Sequence, residues 1–288
     1  MLIEIRGVTY HIEAEGTTSH ERTAVLLHGF SGSSQDWAEI AAKLRALDRG
    51  VVAIDLVGHG KTESPPDPAR YTMDETILDL ERIAAELHLE EADWVGYSMG
   101  GRVALHLALA ALARVRSLVL ESASAGIEDP RAREKRRESD NALAKRIEER
   151  GVEWFADYWG ALPLFETQWE LPPATLSALR QRRLSNLPAG LANSLRGMGQ
   201  GAHRYVGDRL LDLRCDVLLL AGGRDHKYVE VARRLSALIP GSSCVIVPEA
   251  GHAVHLESPD AFTGALATYW NVAPLADEAS PSSSPLGA

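Results

Sequence analysis

After an alternating start, the chain repeats short apolar runs separated by amphipathic stretches. Residues 2–16 (LIEIRGVTYHIEAEG) alternate apolar and polar positions around a glycine, which predicts a two-stranded hairpin. Six apolar runs follow: Ala24–Leu27, Val51–Asp55, Trp94–Tyr97, Leu118–Glu121, Val217–Ala221 and Cys244–Val247. Each is short and Leu-rich or β-branched, as expected of strands covered on both faces. Between them lie helical patterns at 34–47, 74–88, 99–112, 228–238 and 259–270, with Asp74 and Ser258 placed as N-caps. Strand–helix alternation predicts an α/β domain with a mostly parallel sheet and helices on both faces.

The alternation stops after Glu121. Residues 124–209 carry helical patterns without a strand, together with Trp154, Trp159 and Trp169. Counting the hairpin, this segment follows the sixth strand, and it reads as a helical lid over the strands' C-terminal ends. The expected organisation is therefore a core in two parts, 1–123 and 210–272, a lid at 124–209, and a disordered Pro/Ser/Ala-rich tail at 273–288.

Composition narrows the partners. Thirty Lys and Arg against forty Asp and Glu leave a formal charge of −10, which disfavours nucleic acid and anionic membranes. The charge is uneven. Residues 127–214 hold fifteen basic and thirteen acidic residues, so half the basic side chains lie in less than a third of the chain. That imbalance marks the lid as the expected place for an anionic ligand. The longest apolar run, Val103–Ala113, is interrupted by His106 and is too short to span a bilayer. No apolar segment near the N-terminus resembles a secretory signal. Two cysteines, Cys215 and Cys244, sit in strand-like surroundings and are expected to be buried, reduced thiols. A cytoplasmic protein, monomeric or a small homo-oligomer, is the expectation.

Gly96-Tyr97-Ser98-Met99-Gly100 matches G-x-S-x-G between a strand run and a helical pattern. Strand, sharp turn and helix is the setting that lifts a serine hydroxyl clear of the backbone and points helix N–H groups at developing negative charge. A serine needs an imidazole to take its proton, and the imidazole needs a carboxylate to orient it. His252, on a Gly-flanked loop after the last run, is the leading base, with His255 as its rival. Asp225, past the Val217–Ala221 run, is the leading acid, with Glu121 and Glu249 as rivals. Backbone N–H groups of Met99 and Phe30 are the expected oxyanion donors. His28 and His59 are expected to serve their own loops.

The phrases HGF, DLVGHG, GYSMGG, GGRD and GH jointly resemble the α/β-hydrolase superfamily over about residues 24–270. Within it, HGFSGSSQDW, GYSMGGRVAL, ESDNAL, LPLF and RRLSN look like the 2-succinyl-6-hydroxy-2,4-cyclohexadiene-1-carboxylate synthases of menaquinone biosynthesis. That resemblance implies an α/β-hydrolase fold used for a lyase reaction: pyruvate is eliminated from 2-succinyl-5-enolpyruvyl-6-hydroxy-3-cyclohexene-1-carboxylate, without metal or organic cofactor. It also implies substrate-binding roles for Tyr97, Arg102, Arg136, Arg183 and Trp159. Arg133 or Arg137 could replace Arg136, and Arg182 could replace Arg183. The implied partner is a small polycarboxylate, whose carboxylates match guanidinium forks. The alternatives are a serine hydrolase of esters or carbon–carbon bonds on the same triad, and a non-catalytic ligand-binding member of the fold.

Overall fold

A computed structural model describes residues 1–15 and 22–271. The tail expected at 273–288 lies outside them. The elements are β1 Leu2–Ile5, β2 Val8–Glu15, β3 Thr23–Leu27, α1 Ala38–Ala46, β4 Gly50–Ile54, α2 Met73–Glu86, β5 Ala92–Tyr97, α3 Met99–Ala110, β6 Val115–Glu121, α4 Pro130–Gly160, α5 Pro173–Leu184, α6 Pro188–Met198, β7 Asp216–Gly222, α7 His226–Leu238, β8 Ser243–Val247, α8 Val254–Glu257 and α9 Pro259–Tyr269.

The eight strands form one sheet in the order β1-β2-β4-β3-β5-β6-β7-β8. The N-terminal hairpin pairs antiparallel with itself and with β4, and every later pairing is parallel. The period-two geometry of a strand splits each apolar run between two faces. Val25, Leu27, Trp94, Leu118 and Leu219 join one core with α2, α3 and α7. Ala24, Leu26, Val95, Val119 and Leu220 join the other with α1 and α9. Continuous apolar runs are thus explained, because both faces are covered.

At element ends one N-cap expectation is corrected and the other holds in position. The N-cap of α2 is Thr72, whose side chain accepts the Glu75 N–H, and Asp74 instead sits in the first turn. Ser258 does occupy the N-cap of α9, but its side chain makes no capping hydrogen bond. The cysteines are both free, yet Cys215 is only partly buried and Cys244 is exposed. The physical reason is position: Cys244 lies on β8, an edge strand that neighbours cover only in part, and Cys215 lies just ahead of β7, outside the sheet.

Between β6 and β7 the described chain forms helices joined by turns and irregular segments, with no strand. The long α4 bends at Gly151, whose φ of 81° and ψ of 176° leave the helical region. A small apolar cluster of Ala144, Ile147, Phe155, Leu191, Ala192 and Leu195 holds α4 to α6, with Phe30 of the core packed against it.

Candidate active site

Ser98 sits between β5 and α3 at φ 51° and ψ −104°. For a residue with a side chain this backbone costs on the order of 1–3 kcal/mol, so its surroundings must hold it there. They do so through two observed features. The Ser98 N–H donates to Glu121 O on β6 at 2.8 Å, and Ser98 O accepts from the Arg102 N–H at 3.1 Å. The turn also needs its glycines. A Cβ at Gly96 would meet the Gly100 carbonyl, and one at Gly100 would meet the Leu27 and His28 backbone.

Three side chains distant in sequence converge here. His252 Nε2 lies 3.2 Å from Ser98 Oγ, and His252 Nδ1 lies 2.7 Å from Asp225 Oδ2. Asp225 is also the N-cap of α7, and its Oδ1 accepts the Tyr228 N–H at 3.2 Å. One carboxylate oxygen is thus held by backbone while the other faces the imidazole. A row of this kind can move the serine proton to Nε2 and stabilise the resulting imidazolium.

The rival residues are engaged elsewhere. His255 is buried, bonded to the Glu121 carboxylate through Nδ1 and stacked on Trp37 at 4.2 Å. That pairing also occupies Glu121, and Glu249 is exposed. His28 accepts the Leu56 N–H on Nε2, so its Nδ1 donates to Gly29 O. His59 bonds Val57 O, and burial pushes its pKa down to about 3.

A cavity opens over this row, lined by Ser98, Met99, His252, Phe30, Arg102, Arg136, Trp159, Gln200, Lys227 and Tyr228, with Leu164, Ser194, Leu195, Met198 and Gly199. Phe30 and Met99 therefore lie beside the serine. Met99 is the first residue of α3, so its N–H has no acceptor within the helix. The wall carries three cations, Arg102, Arg136 and Lys227, and no Asp or Glu. Arg102 is buried. One of its terminal nitrogens donates to Met198 O at 2.9 Å, its Nε has no partner, and burial lowers its pKa to about 10. Arg136 Nε donates to Asp140 Oδ1, and its NH1 donates to Gln200 Oε1, both at 2.7 Å. Gln200 in turn donates to Tyr228 OH at 2.9 Å.

Tyr97 and Arg183 do not line the serine's cavity. They line a neighbouring one with Asp36, Phe165, Gln168 and Arg182, and only Phe30 and Trp159 border both. Those two rings meet edge to face at 5.2 Å and form the partition. Arg183 lies 5.6 Å from the Phe165 ring centroid, and Arg182 pairs with Asp36 at 3.0 Å. Of the alternatives to Arg136, Arg133 donates to Ile127 O and Arg137 pairs with Glu134.

Of the fifteen basic residues at 127–214, seven form ion pairs with the protein's own carboxylates among the described residues. Arg180, Arg182 and Arg196 pair with Asp157, Asp36 and Glu148. The sequence reading overlooked Lys227, Tyr228 and Gln200. The first two had a usable signal, since they follow Asp225 in the opening turn of a helix that starts at the site.

Comparison with known proteins follows the same lines. The α/β-hydrolase fold family profile matches residues 24–259. A Bacillus subtilis (strain 168) protein, provisionally named 2-succinyl-6-hydroxy-2,4-cyclohexadiene-1-carboxylate synthase, is 38% identical over 256 residues, 89% of this chain and 92% of that protein. The solved structure of MenH from S. aureus aligns at a TM-score of 0.85 and 34% identity, covering 91% of this chain and 97% of that one. A thermophilic esterase from Thermogutta terrifontis, with malate bound, aligns at 0.82 and 27% identity, covering 94% and 98%.

Proposed function

The chain belongs to the α/β-hydrolase fold family, and from that premise we propose that it is a lyase that eliminates pyruvate from 2-succinyl-5-enolpyruvyl-6-hydroxy-3-cyclohexene-1-carboxylate. The product is 2-succinyl-6-hydroxy-2,4-cyclohexadiene-1-carboxylate. The observation that carries this reading is the hydrogen-bonded Ser98–His252–Asp225 row opening into a cavity with three cations and no carboxylate on its wall. A lipid esterase would want an apolar wall, whereas a substrate with three carboxylates wants cations.

The chemistry follows from the geometry. Asp225 orients His252, and His252 draws the Ser98 proton so that the serine oxygen can remove the ring proton beside the succinyl carbonyl. Electrons from that C–H bond shift through the ring alkene and expel the enolpyruvyl oxygen. The departing enolate takes a proton on its methylene carbon from the protonated Ser98–His252 pair and becomes pyruvate, which returns the pair to its starting state. Charge building on the succinyl carbonyl is held by the N–H groups of Phe30 and Met99. Arg102 and Arg136 hold carboxylates, and Trp159 covers the ring. No metal or organic cofactor is required by this scheme. Tyr97 and Arg183, in the neighbouring cavity, would act on substrate only through the Phe30–Trp159 partition.

Ser98→Ala should lower pyruvate release by at least about 10³-fold. A variant that retains near-full turnover in a coupled lactate dehydrogenase assay would remove the scheme. Hydrolysis of small esters is the second reading, favoured by the likeness to the malate-bound esterase. Comparing kcat/KM for p-nitrophenyl acetate and for the tricarboxylate separates the two.

A further inference from the structure

We propose that Lys227 is a substrate-contacting residue of this site, its ammonium binding one carboxylate of the polyanion while Arg102 and Arg136 bind the others. The proposal deepens the reading above and rests on it for the identity of the substrate.

The first support is position. Lys227 lines the same cavity as Ser98 and His252, and it stands in the first turn of α7, two residues after Asp225. The second is its lack of an internal counter-ion. Among the described residues no carboxylate lies within ion-pair distance of its ammonium, whereas nearby basic residues are taken: Arg182 by Asp36, Arg224 by Glu170 and Arg136 by Asp140. Asp225, the acid closest in sequence, is turned away, with its two oxygens given to His252 Nδ1 and the Tyr228 N–H.

The third support is a fixed platform. The Lys227 ammonium lies 5.1 Å from the centroid of the Tyr228 ring. That ring is buried, packs against His252 at 4.8 Å and is tied through its hydroxyl to Gln200. A cation held over an aromatic face keeps its charge while losing part of its freedom, which reduces the entropy lost on binding an anion. Gln200 also accepts from Arg136, so one hydrogen-bonded chain, Arg136–Gln200–Tyr228, joins Arg136 to the ring beneath the Lys227 ammonium.

The arrangement bears on ligand shape. Arg102 stands on α3, Arg136 on α4 of the lid and Lys227 on α7, three separate elements around one cavity. A single compact anion would be served by cations converging from one side. Cations distributed around a wall suit an anion whose charges are themselves spread apart, as three carboxylates on a ring and its two arms are.

The test is direct binding, which does not depend on turnover. Propane-1,2,3-tricarboxylate is titrated calorimetrically into wild type, Lys227→Met and Lys227→Arg at constant ionic strength. Lys227→Met should weaken binding about tenfold, with Lys227→Arg recovering most of it, as expected for one charge-assisted contact. Equal melting temperatures for the three proteins verify that the fold is intact, as the exposed position of Lys227 leads one to expect. Equal affinity of Lys227→Met and wild type, or no binding to wild type, overturns the proposal. Pyruvate release by wild type from the enolpyruvyl substrate reports separately on the reaction, so a lyase with an idle Lys227 and a tricarboxylate binder that is not this lyase are told apart.

Discussion

Arg102 keeps a permanent charge where water scarcely reaches it. Burial is the main cause of its lowered pKa; the charge of Arg136 lowers it further, while Tyr228 and Asp140 act in the opposite direction. Its one hydrogen bond, to the Met198 carbonyl, does not neutralise it. A buried cation without a carboxylate is costly, and the cost is offset once an anion arrives. Arg102→Ala should therefore lower kcat/KM for the tricarboxylate about 100-fold in steady-state kinetics, and an unchanged value would exclude Arg102 from binding. Ser98, Asp225 and His252 could be named from motif and chain order, whereas Arg102 was named only through the family resemblance. Lys227 had a local signal in its place just after Asp225, but its lack of a nearby carboxylate is a property of folded neighbours that no local pattern shows. Arg183 shows the opposite limit: its sequence phrase is right for a substrate arginine, yet its side chain lines the cavity beyond the Phe30–Trp159 partition.

At the scale of elements, the strands and most helices were readable because two periodicities, two and 3.6, rest on backbone geometry alone. Their ends were less so. Asp74 and Thr72 are both good capping types, and the choice between them depends on which residue turns extended before the helix. Thr72 does, at φ −66° and ψ 155°. Thr72→Ala should lower stability by about 1 kcal/mol in urea unfolding. Asp74→Ala should cost only a few tenths, through lost helix-dipole interaction. Equal losses would contradict the assignment of the cap. The bend of α4 at Gly151 is likewise a matter of element geometry, and it accompanies the turn of Phe155 and Trp159 towards Phe30, which they meet at 5.7 and 5.2 Å.

For the whole molecule, acid sensitivity follows from three buried histidines. Burial, the largest cause in each case, pushes His59 and His203 down to about 3 and His106 to about 4. In the fold they stay neutral, whereas in the unfolded chain they gain protons below about pH 6.5. Stability is thus fully present above that pH and is lost as pH falls from 6.5 towards 3–4. Each histidine contributes a slope on the order of 1 kcal/mol per pH unit inside that window. Urea midpoints should fall between pH 7 and pH 5, and the fall should be smaller in His106→Gln. A flat profile over that range would show these imidazoles to be accessible to protons. Charge distribution also has to be read at this scale. Among the described residues, seven of the fifteen basic residues at 127–214 are engaged in ion pairs, and two of the three cations in the serine's cavity come from outside that segment.

By itself the sequence determined the α/β alternation, the strand on which the serine stands, and the chain order of serine, acid and histidine. Each of these depends on short-range geometry: the pleat, the helical turn, and glycines without which the elbow cannot close. The tertiary structure alone decided that His255 serves Glu121, that Cys244 is open to solvent, and which cations share a wall with Ser98. Those outcomes depend on which distant side chains become neighbours. Charge pairing and burial are set by what lies within a few ångströms in space, and residues 102, 136 and 227 come to line one cavity only when α3, α4 and α7 pack around it.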